Sequence, residues 1–226
     1  MRYQNLKEAV FLKRPNRFIA WISIEGQEVK CHVKNTGRLK ELLIPGARIL
    51  VEPSDDPKRK TGYSLICVFH NNQWVNIDSQ VPNKLAEEWI ARGGLLDSVT
   101  RIKREKTWGH SRFDLYVEAE GKRWLIEVKG VTLNQGGTAL FPDAPTERGK
   151  KHIEELILCR EDGYEAAVIF VIQRKDVSRF SPHEERQPEF ADALRAAKKA
   201  GVRVLAVDCV VNKEEIYIDN FVPVVL

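Results

Sequence analysis

Short hydrophobic runs, several alternating with polar residues, fill the first third of the chain. A period of two is typical of half-buried β-strands, and Gly, Pro and Asn punctuate the runs. The pattern predicts strands over 9–13, 17–24, 29–33, 48–52, 63–69 and 74–77. It also predicts one short helical turn over 36–43. Five or six strands with one short helix in about 80 residues indicate a small β-barrel of the OB type.

After residue 82 the hydrophobic period changes, and helices alternate with strands. Apolar residues at helical spacing predict helices over 83–92, 147–162 and 189–200. Asn83 and Thr146 are the expected N-caps of the first two. A fully apolar strand over 166–172 is typical of the buried centre of a sheet, and 202–207 is the next predicted strand. We therefore expect a two-domain α+β protein, with an OB-like barrel over 1–82 and an α/β domain with a mixed sheet over 83–226.

One predicted hairpin of the second domain brings carboxylates together. Its strands cover 112–117 and 122–128, and Glu120-Gly121 is the two-residue turn between them. Such a turn fixes the pairing register of the two strands. That register places Asp114 opposite Glu127.

Two carboxylates beside a lysine suit a hard divalent cation. Asp114 and Glu127 are candidate ligands of Mg²⁺, with Mn²⁺ as an alternative, and Glu105 on the preceding segment is a candidate third ligand. Lys129 shares a strand face with Glu127, where it would activate water or stabilise the transition state of phosphodiester hydrolysis. These spacings resemble the PD-(D/E)xK nuclease superfamily, with Asp114, Glu127 and Lys129 as catalytic residues. The alternative is a solvated cross-strand pair, with Glu105 a plain surface charge.

The net charge of +4 is unevenly distributed along the chain. Residues 1–82 carry 13 Lys and Arg against 8 Asp and Glu, whereas residues 83–226 carry 23 against 24. A basic first domain indicates an anionic polymer as partner, for which we expect DNA. The candidate nucleic-acid-binding residues are Arg38, Lys40, Lys58, Arg59, Lys60, Arg112, Arg148, Lys150, Lys151 and Gln173. For each of them a solvated surface charge or a polar end of an element is the alternative.

Composition narrows the cellular setting. No apolar run approaches the ~20 residues that span a bilayer, and the N-terminus lacks the hydrophobic region of a signal peptide. We therefore expect a cytoplasmic protein with no membrane partner. Four widely spaced cysteines in apolar segments predict buried, reduced thiols. A homodimer is compatible with the sequence.

Taken together, segments along nearly the whole chain resemble the sugar fermentation stimulation protein family. The matching segments are 35–38, 81–83, 111–114, 127–132, 141–146 with 148–149, and 170–174. The resemblance implies an N-terminal OB-like domain and a C-terminal domain like the PD-(D/E)xK nucleases. It also implies DNA binding and a regulatory role in sugar (maltose) utilisation.

Two functions follow as hypotheses. The first is a Mg²⁺-dependent nuclease, exo or endo, that hydrolyses phosphodiester bonds in DNA. The second is a non-catalytic DNA-binding regulator of sugar (maltose) utilisation genes that retains a nuclease-like fold. A metal-dependent enzyme acting on a small phosphate fits the basic first domain less well. The sequence shows no helix-turn-helix pattern of the usual repressor type.

Overall fold

The protein folds into fifteen strands and three helices in the described residues, 1–54 and 56–226 of a computed structural model. The N-terminal strands are β1 (Lys7–Lys13), β2 (Ile19–Ile24), β3 (Gln27–Val33), β4 (Arg48–Pro53), β5 (Tyr63–His70) and β6 (Gln73–Asn76). The helices are α1 (Val81–Ala91), α2 (Glu147–Glu161) and α3 (Pro188–Lys199). The C-terminal strands are β7 (Val99–Trp108), β8 (Ser111–Ala119), β9 (Lys122–Val131), β10 (Asn134–Gln135), β11 (Thr138–Phe141), β12 (Glu165–Ile172), β13 (Arg179–Pro182), β14 (Arg203–Val211) and β15 (Ile216–Val222).

The first five strands form a closed barrel. Their order is β3-β2-β1-β4-β5, and a parallel pairing of β3 with β5 closes the ring, so the predicted OB-like barrel is confirmed. The predicted helical turn over 36–43 is only one hydrogen-bonded turn, in which the Leu43 amide donates to the Leu39 carbonyl at 2.8 Å. Leu39 has a φ of 50°, outside the helical region, so no helix continues through it.

The C-terminal domain is a six-stranded mixed sheet in the order β15-β14-β12-β9-β8-β7. The apolar strand β12 lies at its centre, as the sequence pattern predicted, and it runs parallel to both neighbours. Helices α2 and α3 cover one face. A small sheet, β10-β11-β13, was not predicted. Its strands are two to four residues long, too short for a periodic pattern.

Both helix starts bear on the site. The Thr146 hydroxyl accepts the Gly149 amide at 2.9 Å, so the predicted cap of α2 is confirmed. The predicted cap of α1 is wrong, because α1 begins at Val81 and Asn83 lies inside it. Pro82 suits the first turn, since proline has a helical φ and no amide hydrogen to lose. The domain boundary predicted between residues 82 and 83 thus falls within the first turn of α1.

One hydrophobic cluster joins the two domains. The barrel contributes Leu50, Ile66 and Trp74 to this cluster. They pack with Leu85 and Ile90 of α1 and with the face of the C-terminal sheet that α2 and α3 do not cover. All five side chains are at most 9% exposed. The barrel and the sheet therefore share a core rather than meeting through a linker.

The cysteines match the expectation from composition. All four cysteines are buried and free, as predicted. None of the helices in the described ranges is long and apolar enough to cross a membrane.

Candidate active site

The site is built on the β8–β9 hairpin. Glu120 and Gly121 both have positive φ (56° and 72°), the geometry of a two-residue turn that matches the strand twist. Ala119 pairs with Lys122, which confirms the predicted register. The ladder ends with Leu115 opposite Ile126, one residue short of Asp114.

The Asp114 side chain links β8 to β9 beyond the last backbone pair. Its Oδ2 accepts the Val128 amide at 2.8 Å, and its Oδ1 accepts the side-chain amide of Asn83 at 2.7 Å. Burial raises the pKa of Asp114, and the charge of Glu127 raises it further, against the bonds from Val128 and Asn83 and the charge of Lys129. The two carboxylates are therefore close enough to repel each other, as the strand register predicted.

Glu127 is a buried carboxylate with one engaged oxygen and one free oxygen. Its side chain is 4% exposed. Oε1 accepts Lys129 Nζ at 2.5 Å and lies 2.6 Å from Nδ1 of His152. Burial acts to raise the pKa of Glu127, but His152 and Lys129 outweigh it and hold that pKa below its usual range. Oε2 is buried and, within the described part of the chain, has no hydrogen-bond partner.

His152 was given no role from the sequence, and the structure places it in the site. It lies on α2, one turn after Arg148, whose Nε donates to His152 Nε2 at 3.4 Å. Nδ1 is thus the ring nitrogen that faces Glu127, and Nε2 is the one that faces Arg148. The four-residue spacing of Arg148 and His152 on a helix after the hairpin was the available signal. It could not be read without knowing that α2 packs on this face.

Glu105 lies at the edge of the site. Its φ is 57°, its side chain is 65% exposed, and its carboxylate is 3.6 Å from Arg112. Across the described ranges, no three His, Cys, Asp or Glu side chains form a group that could hold a metal ion. The acidic centre therefore consists of Asp114 and Glu127, with Glu105 paired elsewhere.

Most of the predicted nucleic-acid-binding residues line two depressions. One, of about 580 Å³, lies beside His152 and is lined by Arg112, Arg148, Lys150 and Lys151. The other is a cleft of about 1010 Å³ between the domains, lined by residues that include Arg38, Lys40 and Gln173. Both depressions border the hairpin, because Ser111 and Arg112 of β8 line the first and Gly130 and Val131 of β9 line the second.

The remaining predicted cations lie apart from both depressions. Lys58, Arg59 and Lys60 are on the loop after β4, where Asp55 lies outside the described residues. The Arg59 guanidinium donates to the Ser64 hydroxyl at 2.9 Å.

Gln173 uses its side chain within the protein. Its Nε2 donates to Asn76 Oδ1 at 2.7 Å and to the Asp78 backbone carbonyl at 3.0 Å. The backbone carbonyl of Gln173 accepts the backbone amide of Asn76 at 3.0 Å. These three bonds join the end of β12 to the end of β6. Gln173 therefore forms a contact between the two domains. It also lines the cleft between them.

Fold and site together define a two-domain α+β protein, in which an OB barrel precedes a mixed-sheet domain bearing an acidic pair and a lysine. Two family descriptions match the chain: "SfsA N-terminal OB domain" over residues 12–77, and "Sugar fermentation stimulation protein RE domain" over residues 80–215. The chain belongs to the sugar fermentation stimulation protein family.

Individual relatives match over the full length. The chain is 54% identical to the sugar fermentation stimulation protein homolog of Clostridium beijerinckii, covering 100% of both. It is 52% identical to that of Ruminiclostridium cellulolyticum, covering 99% of both. The structure of Pyrococcus furiosus SfsA in complex with Ca²⁺ superposes with a TM-score of 0.91 at 32% identity, covering 100% of this chain and 98% of that one. The arrangement of both domains is therefore shared with a solved relative.

Proposed function

We propose that this protein is a metal-dependent nuclease that hydrolyses phosphodiester bonds in DNA. The observation that carries the proposal is the unpartnered Oε2 of Glu127, buried in the group that Asp114, Glu127 and Lys129 form. A buried carboxylate oxygen without a partner is costly, and a bound cation would relieve that cost.

The donor set fits a hard cation. Asp114 and Glu127 offer oxygen ligands, which Mg²⁺ and Mn²⁺ prefer, and their mutual repulsion would fall when a cation binds between them. The Ca²⁺ in the Pyrococcus furiosus relative, also a hard cation with oxygen ligands, supports the same assignment here. Glu105 enters only as a helper, since it would first have to leave Arg112. When bound, the ion would offset charge on the phosphate and lower the pKa of a water molecule.

The protein's own residues have separate roles in this proposal. Asn83 and the Val128 amide fix the orientation of Asp114. His152 and Lys129 hold Oε1 of Glu127, so that Oε2 stays available. The Lys129 ammonium, 15% exposed, would orient the attacking water or stabilise charge on the scissile phosphate.

Cations beside the site would hold the flanking backbone of the DNA. Arg112, Arg148, Lys150 and Lys151 surround the depression next to His152. Each phosphate contact contributes affinity that falls as salt rises.

A cleavage assay tests the proposal. Labelled single-stranded, duplex and branched DNA are incubated with Mg²⁺, Mn²⁺ or EDTA, and wild type is compared with Asp114→Ala. We expect metal-dependent cleavage that the substitution abolishes, with folding and most DNA binding retained. Asp192→Ala, an exposed carboxylate change on α3, is the matched control and should cleave normally. Cleavage retained by Asp114→Ala would refute the assignment.

The second candidate is a non-catalytic DNA-binding regulator. The observation that favours it is the neutralisation of Glu127 inside the protein by Lys129, which is bonded to Oε1 rather than free. DNA binding that does not respond to Mg²⁺, without cleavage of any DNA form, would support this candidate over the nuclease.

A further inference from the structure

The cleft between the domains has two chemically different walls. The barrel contributes residues within 11–17, at the end of β1 and in the loop after it, and within 35–45, and the C-terminal domain contributes residues within 130–133 and 140–146. Neither domain alone forms the cleft. A ligand that fills it therefore contacts the barrel and the nuclease-like domain together.

The barrel wall is strongly cationic. It presents Lys13, Arg14, Arg17, Arg38 and Lys40, whereas Asp143 is the one carboxylate among the described residues that lines the cleft. The Asp143 carboxylate is bonded to Arg186 at 2.9 Å. Lys13, Arg17, Arg38 and Lys40 have no carboxylate partner among the ion pairs of residues 1–54 and 56–226. Uncompensated positive charge in a cleft attracts an anionic ligand.

Arg14 holds this wall in place. Its guanidinium donates to the backbone carbonyls of Arg17 at 2.6 Å, Asn35 at 2.5 Å, Gly37 at 2.7 Å and Arg38 at 3.0 Å. These bonds tie the loop after β1 to the loop after β3, which leaves the Arg17 and Arg38 side chains exposed on fixed backbone. A pre-ordered wall loses less conformational entropy when a ligand binds.

The opposite wall is largely apolar. Its apolar residues are Leu133, Leu140, Phe141, Pro142, Ala144 and Pro145, which lie among Thr132, Asp143, Thr146 and Gln173. Cations that follow a backbone, together with apolar or aromatic surface for bases, are the combination that binds single strands without sequence preference. In a duplex the bases are paired and stacked, and their faces cannot reach such a wall.

The cleft borders the strand that carries part of the acidic centre, although Asp114, Glu127 and Lys129 do not themselves line it. Gly130, which lines it, directly follows Lys129 on β9. The cleft volume of about 1010 Å³ is near the upper limit of small-ligand pockets. It can hold a few nucleotides but not a double helix.

We infer that this inter-domain cleft binds a single strand of nucleic acid and leads it to Asp114, Glu127 and Lys129. The sugar-phosphate backbone lies on the Arg17 and Arg38 side, and the bases lie against the 140–145 side. This inference rests on the proposed nuclease function for its delivery step, and it adds the form of the substrate and the path along which it is held.

Binding without cleavage tests the cleft directly. Fluorescence anisotropy in EDTA compares labelled single-stranded DNA, RNA of the same sequence, and duplex DNA, each of about 12 nucleotides per strand. The variant Arg17→Glu/Arg38→Glu is compared with Lys198→Glu/Lys199→Glu, which makes the same charge change at exposed positions on α3. We expect tighter binding of single strands than of duplex. We also expect the cleft variant to weaken single-strand binding about tenfold or more, and the control far less.

The outcomes separate this inference from the proposed function. Tighter binding of duplex than of single strands, or equal losses of affinity in the two variants, would overturn the inference that the cleft binds a single strand. A preference for DNA or for RNA identifies the sugar that the cleft prefers, and either preference supports single-strand binding in the cleft. Single-strand binding that depends on the cleft, with no cleavage in Mg²⁺ or Mn²⁺, would support the cleft and refute the nuclease. Duplex cleavage that the cleft variant leaves unchanged would support the nuclease and refute single-strand binding in the cleft.

Discussion

Nδ1 of His152 lies 2.6 Å from Oε1 of Glu127, and both side chains are buried. Glu127 belongs to the hairpin and His152 to helix α2, so two separate parts of the chain determine the orientation of one carboxylate. Because Lys129 binds the same oxygen, the second oxygen of Glu127 is left as the free acceptor.

Replacing Lys129 with methionine should reduce cleavage roughly 10²–10³-fold, because the charge aimed at the reacting phosphate is lost. The apolar stem would remain, so the packing of β9 should change little. Initial rates in Mg²⁺ measure the effect. Lys122→Met, on the exposed start of the same strand, is the control and should retain wild-type rates. Similar rates in Lys129→Met and wild type would remove Lys129 from the chemistry.

Replacing His152 with alanine should raise the Mg²⁺ concentration needed for half-maximal cleavage by about 10–100-fold, since residues that orient metal ligands typically contribute this much. His152→Asn retains a short donor near Nδ1 and should recover much of the loss. A metal titration of the cleavage rate separates this positioning effect from simple destabilisation. If alanine and asparagine lower stability equally and neither shifts the metal titration, His152 has only a packing role.

Replacing Gly130 with alanine should destabilise the fold by about 1–3 kcal/mol, because the added methyl group has no space. It would lie 2.8 Å from Pro82 Cγ and 2.9 Å from Gln173 Oε1. Urea unfolding followed by tryptophan fluorescence measures the change. Gly62→Ala is the matched control, since its methyl group meets nothing within 4 Å, and it should be neutral or slightly stabilising. Equal stability of the two variants would contradict the tight junction at Gly130.

Replacing Asp176 with asparagine should lower the free energy of unfolding by about 3 kcal/mol at neutral pH. Asp176 Oδ2 accepts Nη2 of Arg174 at 2.6 Å, and the Arg174 side chain is 1% exposed. Burial acts to raise the pKa of Asp176, but the Arg174 bond outweighs it and holds that pKa below its usual value.

The pH dependence of this pair has a definite sign. Since the folded pKa is below the unfolded one, the stabilisation is fully present above the unfolded pKa and is lost as pH falls through the folded pKa. The difference in unfolding free energy between wild type and Asp176→Asn should therefore be constant near neutral pH and shrink below about pH 4. Denaturant titrations at several pH values measure it. A difference that widens in acid would contradict the assigned pKa direction.

Local sequence signals predicted the hairpin well and the helix-borne parts of the site poorly. The Glu120-Gly121 turn alone fixes the register of β8 and β9, so Asp114 and Glu127 could be brought together from sequence. His152 could not, because its contact depends on how α2 packs against β9. Asn83 has the chemistry of a helix cap, but α1 begins two residues earlier, at Val81, with Pro82 in its first turn. The Asn83 side chain instead donates a hydrogen bond to Asp114.

Gln173 shows a second limit of sequence patterns. A polar residue at the end of a central apolar strand is expected at a ligand-binding edge. Here that edge is covered by the barrel, whose Asn76 and Asp78 take the side-chain amide. Periodicity within one domain carries no information about which other domain lies against it.

The hydrophobic cluster that includes Leu50, Ile66 and Trp74 has a consequence for how the molecule melts. Because these barrel residues are buried by α1 and the sheet, separating the two halves would expose a large apolar surface to water. The protein should therefore unfold in a single cooperative transition, with equal calorimetric and van't Hoff enthalpies. In thermodynamic terms the two recognisable sequence regions are one folding unit, and a fragment ending near residue 77 should aggregate or remain molten rather than behave as a free-standing module.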